Sequence, residues 1–310
     1  MMKLAYLFAG QGAQYVGMAK ELYDTEEVVK ETFDEASQVL GYDLAEIVFQ
    51  DGEKLNKTEY TQPSILTVST AISRVLKTRG VSPDLAIGLS LGEYSALVES
   101  GVLDFKEAVQ LVKKRGKFMT EAAPHGSGKM VAIMNADVSV IEEACKKASV
   151  KGIVTPANYN TPSQIVIGGV QEAVDYAVEL LTEAGVKRMI PLNVSGPFHT
   201  AILKPASEKL AVELEKTSFS ELKIPVISNT TAKPFKDGEI PSLLTRQVME
   251  PVRFYESIDA LKGLGVTHFI EIGPGKTLSG FMKKIDKTIL GERAEDIQTV
   301  EASARMFKGE

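Results

Sequence analysis

Apolar and polar residues are grouped along this chain in blocks whose period alternates between strand-like and helix-like. Lys3 to Ala9 is a short apolar run closed by Gly10-Gln11-Gly12, which predicts a buried strand. Helical spacing follows through about 15–23 and again through 28–40. Thr61-Gln62-Pro63 opens a longer helical stretch to Arg79, with Pro63 suited to a first turn and Gly80 to the stop. Leu85 to Leu89 is a second short strand that runs straight into Ser90. Leu91 to Glu99 then reads as a helix ended by Gly101. Asp104 suits the N-cap of the next helix, which runs to about Ala123 and stops at Pro124.

The rhythm changes after Gly126-Ser127-Gly128. Met130 to Asn135 predicts a strand, and Val138 to Ala148 a helix. Ile153 to Asn158 and Gln164 to Gly168 predict two strands joined by a turn. Gln171 to Ala184 predicts a helix, and Val186 to Asn193 a strand. That order, βαββαβ, is the split pattern of a ferredoxin-like unit. A small inserted domain is therefore expected at 126–195, between two parts of a larger α/β unit at 1–125 and 196–310. In the second part, Thr200 to Thr217 and Pro251 to Gly263 predict helices. Pro225 to Asn229 and His268 to Ile272 predict strands, and Leu278 to Ile285 a last helix.

Composition narrows the class. The chain has 310 residues, 44% of them hydrophobic and 25% charged, which fits an ordinary globular protein of about two packed units. A net charge of -6 argues against nonspecific nucleic-acid binding. The single cysteine, Cys145, cannot form an intramolecular disulfide or a cysteine-cluster zinc site, and three histidines leave little room for a metal centre. No apolar run approaches the ~20 residues of a membrane span. The expectation is a soluble, cytoplasmic protein without a metal, and a monomer because no heptad or long exposed apolar stripe stands out.

The sharpest local signal is Gly88-Leu89-Ser90-Leu91-Gly92, a G-x-S-x-G between a short apolar strand and a helix. This is the context of a nucleophile elbow, a tight turn that exposes a serine hydroxyl. A side chain at either glycine would crowd the turn, and the helix N-terminus aims free N–H groups at a developing anion. A serine nucleophile needs a base. The candidates are His125 in a linker, His268 on a strand, and His199, which the return from the inserted domain favours. No acid is placed by motif to complete a triad, so a dyad oriented by a carbonyl is equally open. Arg115, late in its helix, reads by spacing as part of a solvated basic face. Its other reading is a two-pronged clamp for a carboxylate.

Two glycine clusters are set aside. Gly10-Gln11-Gly12 would need glycine at Tyr15 to bind a dinucleotide, and Gly275-Lys276-Thr277 would need glycine at Ile270 to be a P-loop.

Six segments together resemble one family, the malonyl-CoA:acyl carrier protein transacylases. They are Gly10-Gln11-Gly12-Ala13-Gln14, the stretch from Gly88 to Leu97, Arg115 to Met119, Asn158 to Pro162, Gly196-Pro197-Phe198-His199, and Glu271 to Gly275. The resemblance spans nearly the whole chain, in the family's order. It implies an α/β-hydrolase-like core with the ferredoxin-like insertion. It implies Ser90 as nucleophile, His199 as general base, and the amides of Gln11 and Leu91 as oxyanion hole. Arg115 would pair with the malonyl carboxylate, reversing its spacing-only reading. Gln247 would orient His199 through its backbone carbonyl. Asn160, Met119 and Phe198 would line the substrate site, with the bulk of Phe198 leaving less room for an extra methyl. Malonyl-CoA and acyl carrier protein would be the partners, the carrier bringing its own phosphopantetheine, with no resident cofactor. Lys113, Lys114, Lys117, Lys187 and Arg188 are the candidate steering charges for an acidic carrier. One departure is Leu89, where many members carry histidine. The rival readings are a serine thioesterase or esterase, a free-standing acyltransferase of polyketide synthesis, and a noncatalytic acyl-binding module.

Overall fold

A computed structural model describes residues 2–308. The chain opens with β1 (Leu4–Phe8) and then runs through α1 (Lys20–Thr25), α2 (Glu27–Leu40), α3 (Leu44–Gln50), α4 (Gly52–Leu55) and the long α5 (Thr58–Thr78). β2 (Leu85–Gly88), α6 (Gly92–Glu99) and α7 (Phe105–Ala122) follow. A middle segment holds β3 (Lys129–Met134), α8 (Val138–Ala148), β4 (Val154–Thr161), β5 (Gln164–Gly169), α9 (Gln171–Glu183) and β6 (Arg188–Pro191). The last third holds α10 (Lys204–Leu214), α11 (Ile240–Gln247), α12 (Phe254–Gly263), β7 (His268–Ile272), α13 (Thr277–Ile285), β8 (Leu290–Ala294) and α14 (Ile297–Lys308).

The strands form two separate sheets. The larger has the order β2-β1-β7-β8 and is parallel throughout. Parallel sheets are covered on both faces, which is why β1 reads as an unbroken apolar run. Its residues nevertheless alternate between two cores. Leu4, Tyr6 and Phe8 pack with α2, α5 and α7, whereas Ala5 and Leu7 pack with α12 and α13. The smaller sheet has the order β4-β5-β3-β6, is antiparallel, and packs α8 and α9 over a third core. Its βαββαβ sequence of elements is the one the hydrophobic pattern predicts. β4 of the smaller sheet is bonded through its main chain to the segment that leads into α12, a helix packed on the larger sheet: Tyr159 N–H donates to Val252 O (2.8 Å), and Val252 N–H to Ala157 O (2.9 Å).

Several elements differ from the sequence reading. The stretch at 15–23 is mostly turns, with helix only from Lys20. α5 begins at Thr58, so Pro63 sits inside it rather than in its first turn. The earlier start is stabilised by Thr61 Oγ1, which donates to Leu55 O (2.6 Å) and Lys57 O (3.0 Å). Residues 225–229 are extended but form only isolated bridges, Ala86 to Val226 and Ile227 to Pro234. The α3, α4, α11, β8 and α14 elements were not anticipated.

α5 is buried nearly all round, as expected of a helix in the middle of a core. α7 packs directly on it. At Gly116 an added Cβ would lie 2.6 Å from Thr58 O, so only a glycine lets the two helices approach this closely. That contact brings Arg115, the preceding residue, beside Gln62.

Candidate active site

β2 ends at Gly88 and α6 begins at Gly92, leaving a sharp turn with Ser90 at its apex. Ser90 has φ 54°, the left-handed region that costs a non-glycine residue ~1–2 kcal/mol. The flanking glycines are sterically required. A Cβ on Gly88 would lie 1.8 Å from the Gly92 carbonyl carbon, and one on Gly92 would lie 2.1 Å from Phe8 O. Leu89 N–H donates to Phe8 O (3.1 Å), which keeps the turn after β1 beside the elbow. The amides of Gln11, in that turn, and of Leu91 have no hydrogen-bond partner among the described residues.

Ser90 Oγ lies 2.8 Å from His199 Nε2. The other ring nitrogen, Nδ1, lies 2.8 Å from Gln247 O. A carbonyl can only accept, so Nδ1 carries the proton and Nε2 is left to accept from the serine. His199 is buried, and burial, reinforced by the Arg115 charge, pulls its pKa down to about 4. It is therefore neutral at pH 7 and able to take a proton. His268 is elsewhere, bonded to Thr267 Oγ1 and edge-on to Phe307. His125 is exposed at the rim of the same cavity.

Arg115 is 1% exposed, so the solvated-face reading fails. Its Nη1 donates to Gln62 Oε1 (2.9 Å). Its Nη2 donates to Gln247 Oε1 (2.9 Å) and lies 3.2 Å from Ser90 Oγ. The guanidinium also lies over the Tyr94 ring. The nearby acid is Glu93, fully buried, whose pKa burial raises to about 8. Ser90, His199, Arg115, Gln11, Met119, Asn160 and Phe198 all line one cavity of about 540 Å³ between the two sheets. Asn160 Oδ1 is buried there with no protein partner. Leu91 and Gln247 lie behind this wall, both buried.

Three residues at the site have no role in the sequence reading: Gln62, Glu93 and Asn229. Gln62 and Asn229 reach the site across the fold, so no local motif marks them. Glu93 lies within the motif from Gly88 to Leu97, but only the fold shows that it is buried and holds Asn229. The rejected glycine cluster at Gly275 is explained as well. Glu271 accepts from the Leu278 and Ser279 amides (2.9 and 2.7 Å), so the α13 N-terminus already holds an anion.

A strained serine on a neutral, carbonyl-oriented histidine, facing a buried guanidinium, is the equipment of an acyl-transfer enzyme. In agreement, residues 5–308 match the family model described as acyl transferase domain. Within that class, the chain belongs to the malonyl CoA-acyl carrier protein transacylase family. It is 45% identical to the Bacillus subtilis (strain 168) member, over 100% of this chain and 99% of that one. It is 44% identical to the Escherichia coli (strain K12) member, over 99% and 100%. Among solved structures it is similar to MCAT from Streptococcus pneumoniae, with TM-score 0.97 and 60% identity over 98% of this chain and 100% of that one. It is also similar to a malonyl-transacylase solved in complex with its type II PKS acyl-carrier protein, with TM-score 0.95 and 44% identity over 98% and 99%.

Proposed function

We propose that this acyltransferase moves a malonyl group from malonyl-CoA to the phosphopantetheine thiol of acyl carrier protein, supplying fatty acid synthesis. The observation that carries the reading is the shared contact at Ser90 Oγ, with His199 Nε2 at 2.8 Å and a buried Arg115 Nη2 at 3.2 Å. A base beside the hydroxyl suits acyl transfer to serine. A buried cation on the same atom suits an acyl group that itself carries a carboxylate.

The cycle follows from these positions. The malonyl carboxylate takes the Nη2 hydrogen that Ser90 Oγ holds at rest, with a second N–H of the same fork, while Gln62 and Gln247 hold the guanidinium. Ser90 Oγ attacks the thioester carbon as its proton passes to His199 Nε2. The oxyanion is met by the Gln11 and Leu91 amides, an effect worth ~3–4 kcal/mol per donor in a comparable hydrolase. The C–S bond breaks, and His199 returns its proton to the CoA sulfur. A malonyl ester is left on Ser90. The carrier thiol then gives its proton to His199 and attacks the ester, and the proton passes back to Ser90 Oγ. Every proton moves through one imidazole, so the cycle is written without a metal or redox cofactor.

In the same reading, residues 1–125 and 196–310 form an α/β-hydrolase-like catalytic domain, and 126–195 a ferredoxin-like small domain. The elbow between a parallel strand and a helix supports the first, and the β4-β5-β3-β6 order the second. Asn160 and Met119 line the substrate pocket, and Phe198 narrows it against a methyl-branched acyl group, by ~1–3 kcal/mol at most. The protein acts as a cytoplasmic monomer; among the described residues no helix is long and apolar enough to cross a membrane.

Intact-protein mass spectrometry after brief exposure to malonyl-CoA tests this, with Ser90→Ala alongside. The expected result is a malonyl adduct on wild type only, discharged by acyl carrier protein. Free malonate without an adduct would assign a thioesterase instead.

A further inference from the structure

Ser90 is held in its strained conformation from outside its own turn. Asn229 Oδ1 accepts from Ser90 N–H (2.7 Å), and Asn229 Nδ2 donates to Gly88 O (2.7 Å). One side-chain amide therefore grips the two main-chain groups that bracket the elbow, using an acceptor for one and a donor for the other. On its far side, Gln247 Nε2 donates to Ser90 O (2.8 Å). Asn229 is itself fixed. Its N–H donates to Glu93 Oε2 (2.5 Å), in the first turn of α6, and its carbonyl accepts from Arg253 N–H (2.9 Å). Asn229 and Glu93 are both fully buried, and neither lines the cavity.

We propose that Asn229 is a positioning residue for acylation, whose amide holds the elbow in the one geometry that keeps Ser90 Oγ on His199 Nε2. The inference rests on Ser90 being the nucleophile. A left-handed serine is unfavourable by itself, so something must hold it there. The turn's own bonds, Gly92 N–H to Leu89 O (3.0 Å) and Glu93 N–H to Ser90 O (3.1 Å), leave Ser90 N–H and Gly88 O to a partner from outside it. A primary amide offers both an acceptor and a donor at this spacing without a charge at any pH.

Asn229→Asp separates this role from simple packing. The carboxyl has the amide's shape, and either of its protonation states can accept from Ser90 N–H. Only the protonated form can donate to Gly88 O. The ionised form sets two oxygens against each other. The titratable and charged groups around it are Glu93, which bonds the same residue's N–H, then His199 and Arg115 across Ser90, and Arg253 next to it in the hydrogen-bond chain. Burial favours the protonated carboxyl, Arg115 and Arg253 favour the ionised one, and Glu93, whose own pKa is about 8, becomes charged only towards the alkaline end of the range. His199 stays neutral throughout the range used, because its pKa lies at about 4.

The experiment is single-turnover acylation by malonyl-CoA, followed by intact mass, from about pH 5.5 to about pH 8. Wild type, Asn229→Asp and Asn229→Ala are compared, each rate corrected for the folded fraction from thermal unfolding at the same pH. The Asn229→Asp rate is expected within several-fold of wild type at the acid end and to fall by about 100-fold as the carboxyl ionises, the cost of a displaced reacting atom. Asn229→Ala is expected to be slow at every pH. A variant-to-wild-type ratio for Asn229→Asp near one throughout is that of a carboxyl that stays protonated and keeps both bonds, and it supports the proposal if Asn229→Ala is slow. A ratio for Asn229→Asp that is well below one and constant across the range overturns the proposal. So does an Asn229→Ala rate equal to wild type. Failure of wild-type Ser90 to become acylated would instead refute the nucleophile itself, and is read from the wild-type sample alone.

Discussion

At the scale of single residues, burial decides the chemistry. Arg115 on the surface would be one more basic residue. Buried, it is a cation whose fork is held by two neutral amide oxygens and is not taken by a carboxylate. Removing it leaves a malonyl carboxylate unpaired in the bound state, a cost of about 2–5 kcal/mol. Arg115→Ala is thus expected to lower kcat/KM for malonyl transfer by roughly 30- to 5,000-fold while acetyl transfer changes much less. Equal losses with malonyl-CoA and acetyl-CoA would remove the clamp assignment. His199 gives a pH prediction. Its folded pKa is about 4, and an unfolded histidine titrates at about 6.5. Between these values the unfolded chain binds more protons, so stability falls as pH drops from about 6.5 towards 4, by on the order of 3 kcal/mol in all. Glu93, with its pKa raised to about 8, acts in the opposite sense, its contribution being lost as pH rises. Because Glu93 offsets the histidine between about pH 7 and about pH 4.5, urea unfolding at these two pH values isolates the histidine only as a difference between proteins. On going to the lower pH, wild type should lose more stability, or gain less, than His199→Asn, and identical pH responses would contradict a buried neutral imidazole.

At the scale of elements, the elbow stores strain that the flanking parts must hold. Ser90 at φ 54° is a position glycine would occupy without cost. Both Ser90→Ala and Ser90→Gly should be inactive, yet Ser90→Gly should be the more stable of the two by about 1 kcal/mol. Chemical denaturation measures this directly, and a more stable Ser90→Ala would mean that the turn relaxes when the hydroxyl is lost. The elbow was legible because every requirement is local: a strand, two glycines, a serine and a helix within a few residues. Asp104 was legible for the same reason, and its carboxylate does accept from the Lys106 and Glu107 amides. Pro63 misled because proline is commonest in a first turn, whereas here the helix extends upstream through bonds made by Thr61. β8 was missed because it is an exposed edge strand, Leu290–Ala294, with little apolar pattern to read.

At the scale of the molecule, a net charge of -6 requires that any attraction for an acidic carrier be local. The five candidate cations are not equal. Lys114 is paired with Glu213 and Lys117 with Glu121, and Lys113 lies over the Tyr42 ring. Lys187 and Arg188 are exposed, make no ion pair among the described residues, and precede Leu192 to Ser195 on the cavity wall. Reversing both charges to glutamate should raise KM for acyl carrier protein several-fold at low salt and leave malonyl-CoA acylation unchanged. Insensitivity of the carrier step to both salt and these changes would place docking elsewhere.

The sequence by itself determined what depends on neighbours along the chain. The parallel strand leading into a glycine-flanked serine, the βαββαβ middle segment and the set of family motifs are all written in short stretches. The tertiary structure alone decided what depends on distance in space. It set the ring of His199, already favoured by the sequence, between Ser90 Oγ and Gln247 O, buried Arg115 against Gln62 and Gln247, and brought Asn229 across 139 positions to hold the elbow. The reason is physical: hydrophobic period and turn chemistry act over a few residues, whereas burial and hydrogen bonding of a site are set by which elements pack together.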